Sequence, residues 1–236
     1  MHADAFFHAV HHGQDYARAG ADFAIISDGC SSSPDTDCGA RWLTLAASVE
    51  HDIERIVDRA LAVGLVRPEA LDATLLTLRR VGEQIEATVH GDGIVFGVRR
   101  SGEIEAWEID QGGTPAYPVY RRQPQRWAGW AGESRVRHWP SGRTSSAVSS
   151  DFPVFSMAFD PTDWRLVGIA SDGLLALRGA EGPVPLLDVL THVTDIRAPR
   201  GRFIERSSTF FLRRTCPKLG WTPTDDYSVA AFWLGD

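Results

Sequence analysis

Cysteine is scarce. The 236 residues hold three, Cys30, Cys38 and Cys216, an odd number without short paired spacing. This excludes a disulfide framework or a zinc knuckle and reads as reduced thiols in a cytosol. Positive charge is also short: 24 Lys and Arg stand against 31 Asp and Glu, for a net charge of −7 and a pI near 5.6. Nucleic acid and anionic membrane both favour basic surfaces, so neither is an expected partner. No apolar run reaches the roughly eighteen residues that a membrane span requires. The opening "MHADAFFHAVHHGQDYA" has neither the basic lead nor the apolar stretch of a secretory signal. There is no internal repeat, and low complexity is confined to "GRTSSAVSS". The expectation is a soluble cytoplasmic protein.

What is present suits a globular chain with a real core, at 43% hydrophobic and 23% charged residues. "ADFAIIS", apolar and bounded by Gly20 and Gly29, predicts a buried strand. From Asp37 onward, Trp42, Ala46, Val49, Ile53, Ile56 and Ala60 recur at helical steps. They predict one helix, capped by Thr36 or Asp37 and ended by Gly64. Pro68 predicts the start of a second helix, "PEALDATLLTLRRV". "QIEATVHGDGIVFGVRRSGEIEAWEID" holds three β-type runs between Gly-containing turns, the pattern of an antiparallel meander. The span 111–150 shows no clear period. "FPVFSMAF" and "RLVGIASDG" predict strands, 185–196 and 201–215 helices, and "YSVAAFWL" a last strand. Strands segregated from helices indicate an α+β architecture rather than βαβ units, in a single domain over 1–236.

Several acids share one context. Asp28 ends the strand "FAIIS", Asp172 ends "RLVGIAS", Asp225 stands just before the last strand, and Asp15 precedes the first. If these strands are neighbours, the carboxylates converge at one sheet edge. Crowded, desolvated acids repel unless a cation compensates. Aspartate oxygens, a Gly carbonyl and water are the hard ligand set that magnesium or manganese prefers. Gly29, without a side chain, lets its carbonyl approach a metal closely. The alternative for each Asp-Gly pair, at 28, 92 and 172, is an ordinary turn.

The ordered set "GQDYA", "SDGCSSS", "HGDGIVF", "ASDGLL" and "TDDYSVAAFWL" resembles the metal-dependent serine/threonine phosphatases of type 2C (PPM), over essentially the whole chain. The "DGCSSS" and "DATLL" segments are most like those of small bacterial members. The resemblance implies a four-layer α-β-β-α sandwich, two mainly antiparallel sheets flanked by helix pairs. It implies a monomeric hydrolase acting on a phosphorylated protein, at phosphoserine or phosphothreonine, or on a small phosphomonoester. Two Mn or Mg ions would share a bridging water. Asp28 would bridge the ions and the Gly29 carbonyl would ligate one. Asp172 and Asp225 would complete the other shell, and Asp15 would act through bound water. Asp28 and Asp15 would thus carry the catalytic positioning. Asp92 matches a place that some members use for a third, weaker metal; the competing reading is a hairpin turn.

This chain also departs from the pattern. No Arg precedes Asp15, where many members hold the phosphate; "HAVHHGQD" offers His11 or His12 instead, as phosphate donors or as solvated side chains. Cys30 stands where members with Asp-Gly-His place a candidate general acid, and reads as a small packing residue. Ser31, Ser32 and Ser33 replace a Gly-rich loop and make a polar turn or a phosphate contact. The stretch 121–139 carries five arginines against Glu133, as an anion-binding flap or as a loop anchored by tryptophans. These departures motivate a second reading, a pseudophosphatase retained as a regulatory binding module.

Overall fold

The computed structural model describes residues 1–11, 13–64, 67–147 and 152–235. In chain order, β1 (His2–His8), β2 (Asp15–Ala19) and β3 (Phe23–Asp28) precede helices α1 (Thr36–Ala47) and α2 (Ile53–Gly64). A meander follows: β4 (Leu75–Val81), β5 (Gln84–His90), β6 (Gly93–Arg99) and β7 (Ile104–Asp110). The short helix α3 (Pro124–Ala128) leads to β8 (Ser134–Trp139), β9 (Arg143–Ala147), β10 (Val154–Phe159) and β11 (Trp164–Ala170). After β12 (Leu177–Gly179) and β13 (Gly182–Pro183) come α4 (Leu186–Val193) and α5 (Phe203–Phe210). A π-helical turn (Phe211–Thr215) continues α5 into α6 (Cys216–Leu219), before β14 (Thr222–Pro223) and β15 (Tyr227–Trp233).

Seven strands form one sheet in the order β1-β15-β11-β6-β7-β8-β9, and five form a second in the order β10-β5-β4-β3-β2. Strands β12, β13 and β14 make a small third sheet. The β15 side chains show why the two large sheets face each other. Tyr227, Val229, Ala231 and Trp233 pack under α4 and α5, whereas Ala230 and Phe232 enter the inter-sheet core beside Ile26, Leu76 and Leu78. This period of two, with both sides apolar, is what a strand buried between layers requires. Ile25 and Leu75 face outward from the five-stranded sheet onto α1 and α2. The α-β-β-α layering expected from the motif set is therefore present.

Three expectations change. The single helix from Asp37 to Gly64 is two helices. Asp52 Oδ1 accepts the Arg55 N–H at 3.0 Å, a side-chain cap that starts α2 afresh. The Arg79 guanidinium donates to the carbonyls of Ala47 and Glu50 across the break. Val49, placed on the apolar stripe, is 63% exposed there. Thr36 opens α1 but does not cap it; its hydroxyl donates to the Cys30 carbonyl at 3.1 Å. The helix expected at Pro68 is one 3-10 turn, Pro68–Leu71, followed by β4. Both faces of β4 are covered, so its apolar run lost the alternation that marks a strand. Strands β1 and β2 were not foreseen.

Candidate metal centre

The register places Asp15 of β2 directly across from Asp28 at the end of β3. Strands β11 and β15 are neighbours in the other sheet, and Asp172 and Asp225 lie just beyond and just before them. Asp92 sits in the hairpin between β5 and β6. These ends open on one cleft of about 420 Å³, lined by Asp28, Gly29, Asp92, Asp172 and Asp225. Asp15 lies behind Asp28, 2% exposed, with one carboxylate oxygen accepting the Ser171 hydroxyl at 2.7 Å. Asp92 forms the hairpin turn, as one of its two readings expects, and it also lines the cleft.

Backbone contacts fix this geometry. The Thr74 amide donates to the Asp28 carbonyl at 2.8 Å, and the Asp28 amide donates to the Thr74 hydroxyl at 3.1 Å. A Cβ on Gly29 would stand 2.8 Å from Thr36 Cβ, and one on Gly173 would stand 1.8 Å from the Asp226 carbonyl oxygen. Both Asp-Gly pairs therefore need glycine for close approach, independently of any turn. The loop before β2 is held by Asp226, whose carboxylate accepts the amides of Val10, His11 and Gln14. Burial opposes ionisation of Asp226, but these amides outweigh it and lower its pKa.

The acids titrate as a crowded set. Burial, then the charges of Asp15 and Asp172, push Asp28 well above the usual carboxylate range. Burial raises Asp15 to about 6 and Asp92 to about 8, and it raises Asp225 as well. Among the described residues, no three His, Cys, Asp or Glu groups stand in a geometry that already holds a metal ion. Asp28 turns instead toward Asp15 and Asp172. Asp15 Oδ1 is buried without a donor, and its carboxylate faces another acceptor. Only a shared proton or a cation resolves such a pair. The donor set is all oxygen, which fits Mn or Mg.

Some predicted participants lie elsewhere. His11 is tied to the rim, with Nε2 3.0 Å from the Thr224 carbonyl oxygen; His12 lies outside the described residues. Cys30 packs against the core beneath α1 and α2 and also lines the cleft, its thiol 3.1 Å from the Ser32 hydroxyl. Burial opposes its ionisation, but hydrogen bonds from Ser32 and Tyr117 lower its pKa overall. Ser31 and Ser32 line the cleft, while the Ser33 amide closes a turn onto the Cys30 carbonyl at 3.1 Å.

The five arginines of 121–139 are all engaged. Arg121 lies 4.3 Å over the Phe152 ring. Arg122 pairs with Asp58 and Glu54. Arg126 pairs with Asp72, Arg135 with Glu133, and Arg137 with Glu108. Sequence reasoning missed Asp226, Tyr117 and the Asp72–Arg126 pair. The signal for Asp226 was available in the paired "TDD", whose two acids both line the cleft.

Solved structures share the whole architecture. The Mycobacterium tuberculosis serine/threonine phosphatase PstP/Ppp matches with a TM-score of 0.58 at 15% identity, covering 100% of this chain and 99% of its own. The PPM Ser-Thr phosphatase MsPP from Mycobacterium smegmatis, in complex with cacodylate, matches with a TM-score of 0.51 at 15% identity, covering 100% and 99%. The serine/threonine phosphatase Stp1 from Staphylococcus aureus matches at 0.54 and 11%, covering 97% and 93%. The sequence itself matches no family profile and no curated protein. The chain has the fold of the bacterial PPM serine/threonine phosphatases.

Proposed function

We propose that this chain is a metal-dependent phosphatase hydrolysing phosphoserine and phosphothreonine, or a small phosphomonoester, with residues 1–236 as one catalytic domain. The observation that carries the reading is the convergence of Asp28, Asp92, Asp172 and Asp225 on one cleft, with Asp15 behind them. Asp28, at the centre of the set, would hold both divalent ions, with the Gly29 carbonyl on one and Asp172 and Asp225 on the other. Asp92 would hold a third, weaker ion. Two such ions, when bound, supply a water of lowered pKa and neutralise charge on the phosphoryl oxygens.

The chain's own residues supply the positioning. Asp15, anchored by Ser171, would orient Asp28 from behind and act on the ions through bound water. Thr74 pins the Asp28 backbone, and Asp226 ties the loop before β2 to the entrance of β15. Ser31 and Ser32 place hydroxyl donors on the rim.

With manganese, the purified protein should release phosphate from p-nitrophenyl phosphate and from a phosphoserine peptide. Asp172→Ala or Asp225→Ala should remove nearly all of that activity. Full activity in both variants would overturn the assignment. One observation favours the pseudophosphatase reading: no Arg, Lys or His is among the described residues lining the cleft. That reading gains if manganese binds by calorimetry while turnover stays at the buffer rate on both substrates.

A further inference from the structure

The strongest charge asymmetry lies away from the acidic cleft. Residues 195–218, "DIRAPRGRFIERSSTFFLRRTCPK", carry seven Lys and Arg against two acids in a chain of net charge −7. The rest of the molecule therefore stands at −12. The fold gathers this charge around a hollow of about 540 Å³ between the end of α4 and the α5–α6 unit. Arg197, Arg206, Arg214 and Lys218 line it, and Asp195 is its one acid.

Local structure keeps the cations available. Arg206 donates to the carbonyls of Ala198 and Arg200, each at 2.7 Å, which holds its guanidinium at the wall without neutralising it. Asp195 stands 3.9 Å from Arg197, a loose and exposed pair. Among the described residues, Arg206, Arg214 and Lys218 have no ion-pair partner. The π-helical turn Phe211–Thr215 widens the helix where Arg214 and Thr215 enter the lining; such bulges recur at functional sites. Between the cations lie apolar anchors, Phe210 at 53% and Leu219 at 42% exposure. Arg197 sits 5.6 Å over the Phe210 ring.

We propose that this face is a docking site for an acidic protein segment bearing apolar side chains. Alternating acid and apolar groups would meet the Arg and Lys heads and the Phe210–Leu219 floor together. A polyanionic surface such as a duplex or a bilayer is disfavoured, because the molecule around the hollow carries a large negative excess that repels it. A short segment entering the hollow avoids most of that field, which fades over a Debye length of about 8 Å at physiological salt. The site shares no lining residue with the metal centre and stands whether or not the chain is catalytic.

The test is fluorescence anisotropy of a labelled peptide alternating glutamate and leucine, titrated with the full chain. Saturable, salt-sensitive binding is expected. Arg214→Glu and Lys218→Glu should each weaken it roughly tenfold, whereas Arg143→Glu, an exposed reversal on β9, should leave it unchanged. Both tested residues are exposed, and unaltered melting temperatures will show that the variants fold. Three results would each overturn the proposal: no saturation, equal loss in the Arg143 variant, or tighter binding of an oligonucleotide or of phosphatidylserine vesicles than of the peptide.

Discussion

The ion pair between Arg126 and Asp72 permits a sharp stability test. Arg126 grips both oxygens of Asp72, at 2.8 and 2.7 Å, stacks 4.4 Å over the Tyr120 ring, and joins the 111–130 segment to the acidic loop. Asp72 in turn accepts the Ser33 hydroxyl at 2.7 Å, and its carbonyl accepts the Cys30 amide at 2.8 Å. The Asp72 side chain is 2% exposed and that of Arg126 is 33% exposed. Breaking a fully buried pair by removing one partner costs about 3–5 kcal/mol, because a lone charge stays buried. Water can reach Asp72 through the space that a third-exposed Arg126 vacates, which reduces the cost of Arg126→Ala to about 2–3 kcal/mol. For a chain of this size that lowers the melting temperature by roughly 5–10 °C. Chemical denaturation of Arg126→Ala, Asp72→Asn and the double variant measures the pair directly. The double variant should be more stable than Arg126→Ala, since the stranded charge is gone. If Arg126→Ala stays within about 0.5 kcal/mol of the parent, or the two effects simply add, the buried-charge reasoning is refuted.

Two further outcomes follow from the same geometry. Gly173→Ala places a methyl 1.8 Å from the Asp226 carbonyl oxygen, so the 224–226 loop must move; the proposed phosphatase activity should fall by at least roughly tenfold, and parent-like activity and melting would contradict the crowding. Burial, aided by the charge of Arg121, lowers the His90 pKa from 6.5 to about 4. The folded state thus holds His90 neutral while the unfolded state protonates it, so its contribution is complete above pH 6.5 and is lost as pH falls toward 4. His90→Asn should remove up to about 3 kcal/mol of acid sensitivity across that window, and comparing the two proteins at each pH cancels the oppositely signed carboxylates. Parallel stability–pH curves would show that His90 does not titrate this way.

The parts of the fold legible in the sequence are those where one local signal met no competitor. Strands β5, β6 and β7 are short β-type runs separated by Gly-containing turns, so composition and punctuation agree. The region 37–81 shows the opposite. Its helical stripe runs through Val49, but the break there comes from the Asp52 cap and from Arg79, on a strand distant in sequence. Strand β4 reads as a helix because layers on both faces bury Leu75, Leu76 and Leu78 without alternation. Strand β1 is held by its register with β15, more than two hundred residues away, and such a partner leaves little trace in seven letters.

The same distinction runs through the site. Asp28 and Asp172 each follow an apolar strand and precede a glycine, and Asp225 stands at the mouth of another strand; acids in those contexts are hard to place except at a shared sheet edge. Residue type and context were both constrained, so position in the chain carried spatial information. The supporting contacts lack that property. Asp72 and Arg126 are 54 residues apart, and nothing local distinguishes Arg126 from Arg121 or Arg122 beside it. What separates these arginines is the partner each one meets: a buried carboxylate for Arg126, a phenyl face for Arg121 and exposed acids for Arg122. The arginines of 121–139 left an anion-binding flap and a tryptophan-anchored loop both open; in the folded chain Arg122, Arg126, Arg135 and Arg137 meet carboxylates, and Arg121 lies over Phe152 with its Nε buried and unpaired. Among the described residues, Arg206, Arg214 and Lys218 around the α5–α6 unit have no ion-pair partner and share one hollow. There a free charge is tolerated because water still reaches it, which is why a basic run on an exposed helix tells more about binding than one beside tryptophans.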